Sequence, residues 1–67
     1  MTVRGAAKGN YSRYNQKYNI GFINSYGMED ETQFEGVKTL KELSDLFRDF
    51  CKENGFKTNT VTYVEAV

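Results

Sequence analysis

From Tyr14 onward the side chains alternate. Tyr14, Tyr18, Ile20 and Phe22 occupy one parity, with Gln16 and Asn24 in line. Asn15, Lys17, Asn19 and Ser25 occupy the other, interrupted by Gly21 and Ile23. Residues two apart on a strand share a face. The stretch therefore predicts a strand with one buried face, densest between Tyr18 and Phe22. Gly21 inside it marks a bulge or a close packing contact. Gly27-Met28-Glu29-Asp30 has the composition of a turn. Thr32 to Val37 then predicts a second, weaker strand carrying Phe34 and Val37, and the two strands form a hairpin.

The period changes after Val37. Leu40, Leu43, Leu46, Phe47, Phe50 and Cys51 trace one stripe at helical spacing. Thr39 and Glu42 have the spacing of a capping box, in which each side chain serves a free N–H of the first turn. Asn54-Gly55 ends the helix, with Gly55 suited to the left-handed conformation and Phe56 to folding back on Cys51. Asp45 and Asp49 are like charges one turn apart, offset by Arg48.

Lys57 to Asn59 is a short linker. Thr60 to Val67 is rich in β-branched residues and contains neither Gly nor Pro, so it predicts a last strand. Its inner parity is ambiguous, because Val61, Tyr63 and Val67 alternate against Thr62, Val64 and Ala66. The order β-β-α-β with a right-handed crossover predicts an α+β fold. One amphipathic helix covers one face of a three-stranded sheet of order 2-1-3. Tyr18, Ile20, Phe22, Leu43, Leu46, Phe47 and Phe50 are the expected core. Residues 1–10 lack periodicity and are expected as a flexible basic arm, with residues 11–67 as the single domain.

A chain of 67 residues buries only roughly 60% of its unfolded surface, so stability rests on core packing or on association. Cys51 is the only cysteine and there is no histidine, which removes internal disulfides and the usual zinc ligands. No apolar run approaches the ~20 residues that span a bilayer. The free thiol and the lack of a secretory h-region give a cytoplasmic expectation. The net charge is zero but segregated: Arg4, Lys8, Arg13 and Lys17 precede any acid, and Glu29, Asp30, Glu31 and Glu35 follow as a block.

Little here supports catalysis. There is no histidine base, and Cys51 lies on the apolar stripe, where burial disfavours the thiolate. Ser12, Ser25 and Ser44 have no evident base partner, and Gly5 to Gly9 lacks the spacing of a phosphate loop. Glu29-Asp30-Glu31 lacks the spacing of a calcium loop and is expected as a solvated hairpin tip. The expectation is a non-enzymatic chain without metal or cofactor.

Two binding readings remain. Tyr and Phe are abundant and favour protein interfaces. The last strand is a predicted edge with Glu65 as its only charge, so Thr60, Thr62, Tyr63, Val64 and Glu65 are candidate partner contacts, by strand addition or self-pairing. In size and composition the chain resembles short accessory proteins of phages and mobile elements, which implies a regulator or inhibitor of a host protein. The alternative is weak nucleic-acid binding. Arg4, Lys8, Arg13 and Lys17 would neutralise phosphates, and Tyr11 would stack on a base.

Overall fold

Tyr18, Ile20 and Phe22, one parity of the first predicted strand, are no more than 1% exposed. In the computed structural model, which describes residues 1–12 and 14–67, they belong to strand β1 (Tyr18–Ile23). A short helix α1 (Val3–Ala6) precedes it; β2 (Glu29–Phe34), α2 (Leu40–Asn54) and β3 (Val61–Ala66) follow. The sheet order is β2-β1-β3, and both neighbours run antiparallel to β1. The fold is α+β, with α2 packed on one face of the sheet, as the sequence predicts.

The helix follows its sequence signals closely. Thr39 adopts an extended conformation, and its hydroxyl accepts the Glu42 N–H at 3.0 Å. Gly55 takes φ 72°, which a β-carbon resists, and Phe56 N–H bonds the Cys51 carbonyl. Leu43, Phe47 and Cys51 are fully buried, while Leu46 and Phe50 are only half-buried at the margin of the core. Phe56 folds onto the Phe22 and Phe50 rings rather than only onto Cys51, with centroids 5.2 and 5.8 Å away. On the outer surface Lys41 and Arg48 both reach Asp45, and Arg48 also reaches Asp49. The Lys41 hydrogen bond, helped by the charge of Arg48, holds the Asp45 carboxyl below its ordinary value.

The hairpin is set differently from its predicted position. Asn24 Oδ1 accepts the N–H groups of Tyr26 and Met28, and Gly27 N–H bonds the Asn24 carbonyl. This side-chain-closed turn comes before the Gly27-Asp30 turn expected from composition. Glu29, Asp30 and Glu31 therefore lie on β2 rather than at the hairpin tip. The strand ends at Phe34, because Gly36 turns the chain at φ 71°. Val37 is buried all the same, and its N–H bonds the Gln16 carbonyl. At the other end β1 starts only at Tyr18, and Tyr14, in parity with it, is 82% exposed.

Of residues 1–10, expected as a flexible arm, the stretch up to Ala7 is packed against the domain, while Lys8, Gly9 and Asn10 are exposed. Thr2 caps α1 by accepting the Gly5 N–H, and Val3, Ala6 and Ala7 join the core. The Met1 carbonyl accepts the Val61 N–H at 2.9 Å, and the Met1 ammonium donates to the Asn59 carbonyl. Small side chains let this segment lie close to β3 and α2. Four helical residues are too few to show a period in the sequence.

A bulge resolves the ambiguous parity of β3. Gly21 pairs with Tyr63, but Phe22 pairs with Val61, so Thr62 is the extra residue. Val61 and Val64 thus both face the helix although they are three apart, and both are 2% exposed. The two-sided apolar pattern of the sequence reflects this register shift.

Candidate interaction surface

The helix covers the face bearing Tyr18, Ile20 and Phe22. The opposite parity of β1, Asn19, Gly21 and Ile23, marks the open face. Register places Glu29, Glu31 and Gln33 of β2 there, with Tyr63 and Glu65 of β3. No strand residue is basic, whereas β2 and β3 carry four carboxylates.

Glu31, Gly21 and Tyr63 form one row across the three strands. Gly21 has no side chain, and the Tyr63 ring fills the vacant position: a β-carbon built on Gly21 would overlap the ring. From there the Tyr63 hydroxyl reaches across the central strand and donates to Glu31 Oε2. That bond, together with burial and the charges of Glu31, Glu65 and Glu29, pushes the phenol up to about 12. In the next row Gln33 Nε2 donates to Asn19 Oδ1 at 2.7 Å. The open face is therefore an ordered polar surface with one fixed aromatic ring. Beside it, at the hairpin tip, Tyr26 and Met28 are 86% and 61% exposed.

The candidate contacts on the last strand divide. Tyr63 and Glu65 stand on the open face beside Glu31, and Thr62 is the exposed bulge residue. Thr60 lies before β3, its hydroxyl within bonding distance of the Ile23 and Lys57 carbonyls. Val64 faces the core. The outer edge of β3 is also less open than an edge strand implies, because Met1 holds the Val61 N–H and α1 lies alongside.

The basic N-terminal candidates are not gathered into a stacking site. Tyr11 stacks on the buried Tyr18 at 5.6 Å, and its hydroxyl donates to the Lys38 carbonyl. Tyr18 in turn exchanges hydrogen bonds with the Ser12 backbone. Lys17 pairs with Glu35 at 3.6 Å. Arg4 and Lys8 are exposed on the N-terminal segment, and Arg13 lies outside the described residues.

Sequence reasoning did not select Glu29 and Glu31 as site residues, because it placed them at a hairpin tip. Gly21 was the available signal: a glycine in a central strand asks which ring lies over it. Among the described residues, no helix is long and apolar enough to cross a membrane. The chain matches no protein-family model, no curated protein and no solved structure.

Proposed function

We propose that the protein is a non-enzymatic protein-interaction module that docks through the open face of its sheet, on the β2 side. The observation that carries this reading is the bare face itself. Among the described residues its carboxylates pair with no base, and it carries an aromatic ring held over Gly21. A ring already fixed loses little entropy on binding. Tyr26 and Met28 extend the surface with exposed apolar area. Such a module acts by occupancy, as a cytoplasmic regulator or inhibitor of the protein it binds. Engagement of Tyr11 with Tyr18 and of Lys17 with Glu35 weighs against nucleic-acid binding through the N-terminal segment.

Affinity capture from host lysate, with and without nuclease, tests the reading when run on three proteins. These are the wild type, a Glu29→Lys/Glu31→Lys variant and an Arg4→Gln/Lys8→Gln variant. A protein that survives nuclease, is lost with the acidic variant and is kept with the basic one supports it. Recovery that depends on nucleic acid and fails only with the basic variant overturns it.

A further inference from the structure

Resting on that reading, we propose that the outer edge of β2 receives an extended segment of another protein as a fourth strand, in which Lys or Arg alternates with apolar residues.

The two edges of the sheet are not equivalent. At β3 the N-terminal segment takes the Val61 N–H, and Val64 is 2% exposed. The start of that edge is covered, and a strand has less free approach there. At β2 the ladder leaves alternate backbone groups outward. Asn24 N–H bonds the Met28 carbonyl, so by antiparallel alternation Asp30, Thr32 and Phe34 face β1. The N–H and C=O groups of Glu29, Glu31 and Gln33 then point away from the sheet, where the exposed Asp30 carboxylate accepts the Glu31 N–H at 2.8 Å, and all three residues are exposed. No strand pairs with them among the described residues. Such an edge is a template for another strand.

The core is also unfinished on this side. Phe34 meets Phe50 edge-on at 6.1 Å, yet both remain half-buried, as does Leu46 one turn before Phe50. α2 is flanked by α1 on its other side, where Ser44 and Arg48 line a groove with Thr2 and Val3. A fourth strand beside β2 would lie under the half-covered flank of α2. Every second side chain would face Phe34, Leu46 and Phe50, and the rest would stand on the open face beside Glu29 and Glu31.

Charge selects the occupant. At helical spacing Glu42 and Glu53 fall on the same flank as Leu46, whereas Lys41, Arg48 and Lys52 fall toward the α1 side. Among the described residues, Glu29, Asp30, Glu31, Glu42 and Glu53 have no cationic partner. A second copy of the chain is a poor occupant, because antiparallel β2–β2 pairing sets acid against acid, and like charges directly opposite are destabilising. A Lys- or Arg-bearing strand satisfies both the backbone and the carboxylates.

The test is selection of short random peptides displayed on phage against the immobilised protein, followed by NMR of the isotope-labelled protein with the selected peptide. The expected peptides alternate apolar with basic residues, and binding protects the Glu29, Glu31 and Gln33 amides from exchange. Glu29→Lys/Glu31→Lys and Gln33→Pro, the latter removing one outward donor, should each weaken binding about tenfold or more. The charge variant leaves the ladder bonds intact, so its result stands even where the proline variant fails to fold. Selected peptides that shift Tyr63 and Glu65 but leave the β2 amides unprotected overturn strand addition while leaving the interaction module in place. No enrichment over an unrelated protein counts against both.

Discussion

The ring of Tyr63 occupies the space above Gly21 in which any other residue would place its side chain. The two are register partners on β3 and β1, so the glycine and the ring act as one unit of the open face. Gly21→Ala forces the ring aside and is expected to cost roughly 1–3 kcal/mol, as overpacking does. In a Tyr63→Ala background the same change should cost far less, because the obstacle is gone. Denaturant unfolding of the four proteins measures this coupling. An equal cost for Gly21→Ala in both backgrounds contradicts the account.

The same ring makes the stability depend on alkaline pH. Hydrogen bonding to Glu31 raises the Tyr63 phenol from 10.0 to about 12 in the folded chain. The folded state therefore holds the proton after the unfolded chain has lost it. The contribution is complete below about pH 10 and is lost as pH rises through about 12. Glu31→Gln removes the carboxylate and should bring the Tyr63 titration down toward its ordinary value. NMR of the Tyr63 ring carbons across this range checks it, and an unchanged midpoint in the variant refutes the assignment.

The helix was legible in the sequence because its signals are local and agree. Thr39 caps it, Gly55 ends it, and the Leu43-Phe47-Cys51 stripe buries one side. The sheet order was legible from the order of elements and the handedness of the crossover. The hairpin register was not, because Asn24 closes the turn with a side-chain oxygen that composition does not weigh against Gly27-Asp30. The parity of β3 was hidden by the bulge at Thr62, a property of its pairing with β1. For the site, Tyr63 and Glu65 were among five candidates on the last strand, but the ambiguous parity assigned neither to a face. Glu31 was not, since its role depends on a neighbour 32 residues away.

The N-terminal segment bears directly on the β3 edge. Val3 is 3% exposed and Ala7 1%, and Met1 bonds Val61 across the edge. Val3→Asp places a charge in the core and should lower stability by several kcal/mol, whereas a flexible arm would tolerate it. Removing residues 1–7 should also uncover a Val- and Thr-rich edge and promote self-association. Thermal melting of the first variant and sedimentation of the second check these outcomes. A truncated chain that melts and sediments like the full one would show that the segment contributes nothing.

The claim on which the functional proposal depends is that one sheet edge is closed and the other open. Residue-resolved amide hydrogen exchange of the free protein tests it most directly. Val61, held by the Met1 carbonyl, should exchange slowly, along with Asp30, Thr32 and Phe34, whose amides face β1. Glu29 and Gln33 should exchange at nearly the rate of an unstructured chain, and Glu31, whose N–H the exposed Asp30 carboxylate accepts, only somewhat more slowly. Val61 exchanging as fast as Gln33, or uniform protection along β2, would contradict the assignment of the open edge.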